Sequence, residues 1–406
     1  MNIFIARQPI FDLNMEVYAY ELLFRIDGAE IYDYSDGDKA TAKVLAETLN
    51  SLDLSNLTGQ QRYFINFTAN LLISDVASLF PKELLHVEVL EDVEPTPEIL
   101  TACRNLRENG YMVVLDDFEY KPSMQPLVDL ANIIKVDCLL SPKEEWEATA
   151  KRVEGKNIKL LAEKLETREM FEMAKAMGYE YFQGYFFSRP TLTEVKDVGP
   201  NKLNSMNLMR EINRPDVDMK KLEQIIRQDV SLSMKLLKLI NSAVFSLRTE
   251  VTSVGQAIRL LGLSNVQKWS SVVALGQMGE GLPKELIELT LIRGHFCDLL
   301  AKSAKTAIPP DSAYLVGVFS LIDTFMGRPL AELLADLPLA EDLKWALLKR
   351  IGTLGNLLRL IEAYEQADWP LCESICEPLG VNPDAISAVY LQSVKKSRDV
   401  LEHMER

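Results

Sequence analysis

The first half of the chain alternates short apolar runs with stretches of helical spacing. Ile3–Ile5 and Gln8-Pro-Ile-Phe11 precede Asp12-Leu-Asn-Met15, a turn signal between two strands. Val17–Phe24 is the next strand, and residues 38–52 carry an apolar stripe at Ala42, Leu45, Ala46 and Leu49 that predicts a helix. Strands follow at 63–68, 84–90, 112–115, 133–137, 158–163 and 181–187, with helices predicted at 97–109 and 167–177, stopped by Gly110 and Gly178. The run Met112–Leu115 has no alternation, as a strand buried on both faces requires. This order predicts an α/β fold, and a TIM-like parallel barrel fits it.

After residue 191 the pattern changes. Residues 192–204 are polar with Gly-Pro inside and read as a linker. Beyond it the spacing is helical throughout, at 204–213, 222–229, 231–240, 253–261, 266–275, 284–307, 312–325 and 343–366. The expected organisation is a barrel domain at 1–191, a linker at 192–204, an all-α domain at 205–390 and a helical tail at 391–406.

Polar residues interrupt the apolar strands at or near their ends. They are Glu21, Asn66, Glu88, Asp116, Asp117, Lys135, Glu163 and Gln183. In a barrel of parallel strands that end carries the chemistry. A solvated turn accounts for Asp116-Asp117 taken alone, and unrelated solvated strand ends are the plain alternative for the set. Their recurrence in successive strands points instead to a ring of hard oxygen ligands suited to Mg²⁺ or Mn²⁺. Two such ions could activate a water against a phosphodiester, with Lys135 stabilising charge or orienting that water.

Composition narrows the classes. The net charge of −15 over 406 residues argues against general affinity for nucleic acid or anionic lipid. No apolar run is long enough for a bilayer, and the N-terminus lacks the pattern of a signal peptide, so no membrane association is expected. Five scattered cysteines, with Cys372 and Cys376 one helical turn apart, suit a reducing bacterial cytoplasm. Only His86, His295 and His403 are present, so no histidine cluster for zinc can form.

The first half resembles the EAL domains, the cyclic di-GMP phosphodiesterases. Gln8-Pro-Ile-Phe-Asp12, Glu21-Leu-Leu-Phe-Arg25, Asn66-Phe-Thr68, Glu88-Val-Leu-Glu91, Leu115-Asp-Asp-Phe118, Lys135-Val-Asp137, Ala162-Glu-Lys-Leu-Glu-Thr167, Gln183-Gly-Tyr185 and Phe187-Ser-Arg-Pro190 follow that family's motifs in order. The resemblance implies Glu21, Asn66, Glu88, Asp116 and Asp117 as metal ligands. It places Lys135 and Glu163 at the attacking water with Gln183 nearby, and Glu91 in support of a loop. Arg25, with Glu21 and Gln8, would hold the nucleotide, a guanidinium fork being suited to phosphate. Where the family continues Asp-Asp-Phe with Gly-Thr-Gly, this chain has Glu119–Met124, and the glycine of Ala-Glu-Gly is Lys164. The barrel is also short for the family. The altered loop bears on the second metal and on homodimer contacts.

The second half resembles an HDOD domain through Asp229–Asn241, Ser253–Gly262 and Arg293-Gly-His-Phe-Cys297. Ser320 and Leu321 stand where an HD phosphohydrolase has its His-Asp pair, and His295 reads as a packing residue. The resemblance implies a non-catalytic module that recruits a protein partner. Two functions therefore stand open. One is hydrolysis of cyclic di-GMP to linear pGpG with two divalent ions. The other is an effector that binds nucleotide or protein without turnover.

Overall fold

A computed structural model describes residues 3–26, 54–74, 76–188, 200–214, 216–241, 251–279 and 281–405. The helix expected at 38–52 and residues 192–199 of the expected linker lie outside them. The chain divides into two compact units between Arg189 and Pro190.

The first unit is a closed eight-stranded barrel. Its strands are β1 (Ile3–Phe11), β2 (Val17–Ile26), β3 (Arg62–Phe67), β4 (Leu85–Val89), β5 (Met112–Leu115), β6 (Ile133–Asp137), β7 (Lys159–Glu163) and β8 (Tyr181–Gln183), hydrogen-bonded in chain order. β1 runs antiparallel to both neighbours, whereas β2 to β8 are parallel. The expected all-parallel barrel is corrected at this strand. The cause is the tight turn at Asp12, whose Oδ1 accepts the Asn14 and Glu16 amides at 2.8 and 3.0 Å and reverses the chain. β8 is shorter than expected because Gly184 adopts φ +135°, which turns the backbone away after Gln183.

Because side chains alternate across a strand, each strand stacks residues two apart inside the barrel. The lower layer is apolar: Ile10, Ala19, Phe64, Val114, Ile133, Leu161 and Tyr181 form one buried cluster. Two positions further toward the mouth stand Gln8, Glu21, Asn66, Asp116, Lys135, Glu163 and Gln183, and Glu88 follows His86 in the same way. Each strand thus supplies one polar side chain to one layer, with β1 counted backwards because it runs the other way. Beside it, Thr68, Thr96 and Thr167 cap the helices α1 (Ala69–Ile73), α2 (Pro97–Glu108) and α3 (Arg168–Ala176) through their hydroxyls. Thr68 and Thr167, both inside the motifs, therefore shape loops.

The second unit is helical. Its helix α4 (Pro200–Ile212) begins inside the stretch expected as linker, with Pro200 at the first position, where a missing amide forfeits no helical bond. The segment Val254–Met278 is interrupted at Gly262, whose φ of +77° breaks the helix where the sequence placed a stop. The expected helix 343–366 divides into Glu341–Lys349 and Gly352–Glu365 around Arg350, which is left-handed at φ +56°. The last helix, Ile386–Glu405, runs unbroken through the boundary expected at 390/391.

Candidate active site at the barrel mouth

Lys135 is the centre of the polar layer. Its side chain is 1% exposed, and Nζ lies 2.7 Å from Asp116, 3.1 Å from Glu163, 3.4 Å from Glu21 and against Glu88. Burial alone would lower its pKa, but Asp116, Glu163, Glu21 and Glu88 together hold it well above the ordinary lysine value. The acids are pushed apart. Burial drives Glu88 and Glu163 well above the carboxylate range despite Lys135, because neighbouring carboxylates add to the effect. Asp117 would also rise on burial, but hydrogen bonding with Glu163 and the Lys164 ammonium outweigh it and hold it low.

Consecutive residues of a strand face opposite ways, so Asp116 and Asp117 can share a site only if the backbone turns between them. Asp117 does this in the left-handed region at φ +37°, a conformation Asp tolerates better than most residues. Lys164 repeats the device after β7 at φ +54°. Its Nζ lies 2.7 Å from Asp137 Oδ2 and 3.2 Å from Asp117 Oδ2. Asp116, Asp117 and Glu163 bring ligand oxygens within 4.8 Å of one another.

Gln183 touches this centre, whereas the ring contact of Arg25 lies elsewhere. Gln183 donates to Glu21 at 2.6 Å and to Gln8 at 3.1 Å. Asn66 stands level with Glu88 on adjacent strands. Arg25, near the end of β2, lays its guanidinium 5.5 Å from the Phe4 ring centre. Glu91 is exposed; its pKa is raised by partial burial and then by Asp116 and Asp117. Glu119–Met124 forms an ordered turn, with Tyr120 under the Arg152 guanidinium at 3.5 Å and donating to Gln125 at 3.3 Å.

The oxygen atoms left unsatisfied at this centre fit a divalent cation. Asn66 Oδ1, Glu88 Oε2 and Glu163 Oε1 are buried with no hydrogen-bond donor, whereas Glu88 Oε1 meets the Lys135 ammonium. Buried acceptors in that state are costly unless a cation meets them. The all-oxygen set fits a hard divalent ion.

Lys164 and Asp137 are the residues that motif reading left without a role. The signal was present: a lysine where the related pattern has glycine must send its ammonium somewhere, and Asp137 follows Lys135 by two positions on the same face.

The second unit has no comparable centre among the described residues. Arg293 there makes a buried bidentate pair with Glu365, at 2.8 and 2.6 Å, and donates to Ser320 at 3.0 Å. His295 packs edge-on to Tyr314, and burial lowers its pKa to about 4. No helix among the described residues is long and apolar enough to cross a membrane.

Residues 203–337 match the HDOD domain. Over 401 residues the chain is 34% identical to the cyclic di-GMP phosphodiesterase CdgJ of Vibrio cholerae, covering 98% of this chain and 93% of that one. It is 32% identical over 411 residues to the uncharacterized protein YuxH of Bacillus subtilis, covering 99% of this chain and all of the other. Among solved structures, the Bacillus subtilis YkuI protein, with an EAL domain in complex with cyclic di-GMP and calcium, is 20% identical. The match has a TM-score of 0.39 and covers 64% of this chain and 72% of that one. The chain belongs to the family of two-domain EAL–HDOD proteins, an EAL barrel followed by an all-helical HDOD unit.

Proposed function

We propose that the barrel hydrolyses cyclic di-GMP to linear pGpG with Mg²⁺ or Mn²⁺. The observation that carries this reading is the group of buried, unsatisfied acceptors on Asn66, Glu88 and Glu163, beside the Asp116–Asp117 pair. The phosphodiesterase name of the Vibrio cholerae relative supports it.

Glu21, Asn66, Glu88 and Asp116 would hold one ion and Asp117 a second. Bound there, divalent ions supply Lewis acidity and lower the pKa of water. Water attacks phosphorus and the ribose oxygen leaves, which opens the ring at one phosphodiester. Glu163, grouped with Asp116 and Asp117, would take the proton of the attacking water and pass it to the leaving ribose oxygen. Lys135 stays charged at neutral pH and offsets charge gathering on the phosphoryl oxygens. Gln183 holds Glu21 and Gln8 in position. Arg25 would hold the second phosphate by its guanidinium fork. The HDOD unit would act as a non-catalytic module that binds a protein partner.

A second reading, nucleotide binding without turnover, is favoured by one observation: Lys164 already neutralises Asp117. Incubation of the purified chain with cyclic di-GMP and Mn²⁺ or Mg²⁺, followed by chromatography, separates the two. Linear dinucleotide from wild type and none from Glu21→Ala supports hydrolysis. Intact cyclic nucleotide that co-elutes with the protein supports binding alone.

A further inference from the structure

We infer that Lys164 is a tethered cation for the Asp117 side of the cluster, so that the chain binds one divalent ion tightly and a second only by displacing the lysine ammonium. The inference rests on the divalent-metal reading above. Its ground is the uneven satisfaction of the acidic side chains. Around Lys135, Glu88 Oε1 meets the ammonium, but Asn66 Oδ1, Glu88 Oε2 and Glu163 Oε1 are buried without a hydrogen-bond donor. On the other side every carboxylate oxygen is met. Asp137 Oδ1 accepts the Leu139 and Leu140 amides at 2.7 and 2.9 Å, and Oδ2 accepts Lys164 at 2.7 Å. The two Asp117 oxygens lie 3.5 and 3.2 Å from the same ammonium.

The geometry is built into the backbone. Lys164 occupies φ +54°, directly after Glu163, and Asp117 occupies φ +37°, directly after Asp116. These two turns aim the ammonium and the carboxylate at each other. Asp137, held by two backbone amides, anchors the lysine from the far side. An ion about 2.1 Å from the Asp117 oxygen nearer the lysine would lie within about 5.3 Å of an ammonium left in place. Like charges that close in a partly buried site repel strongly. The second ion must therefore move the lysine, whose side chain is 45% exposed and has room to leave. The first ion meets Asn66 Oδ1, Glu88 Oε2 and Glu163 Oε1, which have no donor to give up.

Mn²⁺ titration of the full chain, stripped with chelator, tests this by the loss of the free-ion paramagnetic resonance signal. Lys164→Met keeps the side-chain length and removes the charge. Lys164→Gly supplies the residue best suited to the backbone, and Lys164→Arg keeps the charge. The expected result is one tight site in wild type and Lys164→Arg. Both uncharged variants should gain a second site at least tenfold tighter than in wild type, with the first changed less than threefold. Asp117→Asn added to Lys164→Met should return the count to one. Equal second-site affinity in wild type and Lys164→Met would overturn the inference while leaving the metal reading intact. No Mn²⁺ bound by any of the proteins would overturn both.

Discussion

Lys135→Met removes one charge from the middle of the barrel and keeps the side-chain length. In the wild type that ammonium is 1% exposed and serves Glu21, Glu88, Asp116 and Glu163. Removing one member of a buried ion pair costs roughly 3–5 kcal/mol, because the other charge is left without compensation. Four carboxylates lose their cation here, which pushes toward the upper figure. Glu88 and Glu163 are already driven upward by burial and can take protons instead, which pushes toward the lower one. The expected loss at pH 7.5 without metal is about 3–4 kcal/mol. For a unit of this size that corresponds to about 6–16 °C in Tm. The pH dependence follows from the sign of the shifts. A carboxylic acid whose folded pKa is raised favours folding when protonated, so its contribution is full below the unfolded value and is lost as pH rises through the folded one. The deficit of the variant should therefore grow from pH 5 to pH 7.5. Added Mn²⁺ should restore part of it. Scanning calorimetry with chelator present, at both pH values, measures this. A loss below about 1 kcal/mol, or a deficit that shrinks as pH rises, would refute the electrostatic account of the site.

Other consequences reach different parts of the chain. Gly184→Ala would set a Cβ into the Leu165 backbone at φ +135° and should destabilise the barrel by about 3 kcal/mol or more, read as a lower urea midpoint. Arg293→Met should cost about 3–5 kcal/mol by stranding Glu365, whereas Arg293→Met with Glu365→Leu should recover most of that loss in the same melts. His295 favours folding when neutral, because burial and then Lys396 lower its pKa from 6.5 to about 4. Its contribution is lost as pH falls through that window, about 2 kcal/mol by pH 5. His295→Phe should flatten that part of the pH–stability curve.

Much of this arrangement is legible in the sequence because a barrel strand writes its inner face at every second position. Glu21, Asn66, Glu88, Asp116, Lys135, Glu163 and Gln183 each break an apolar run, and the structure brings all seven into one layer. Gln8 belongs to that layer too, but only because β1 runs backwards, and strand direction is set by pairing across the barrel as well as by local residues. The backbone turns at Asp117 and Lys164 were hidden for a related reason. A left-handed lysine has no local signature, and its partner Asp117 lies 47 residues away. In the helical unit, Gly262 announced its stop, whereas the left-handed Arg350 did not. Glycine is the common residue in that conformation and arginine is not.

The central claim is that the acidic layer around Lys135 performs divalent-metal-dependent opening of a cyclic dinucleotide. Its most direct test is product analysis after incubating metal-stripped full-length protein with cyclic di-GMP, with and without Mn²⁺. The account predicts linear pGpG only when Mn²⁺ is present, and none from Glu21→Ala or Glu88→Gln at equal folded concentration. Intact cyclic di-GMP after prolonged incubation with wild type and saturating Mn²⁺ would contradict it.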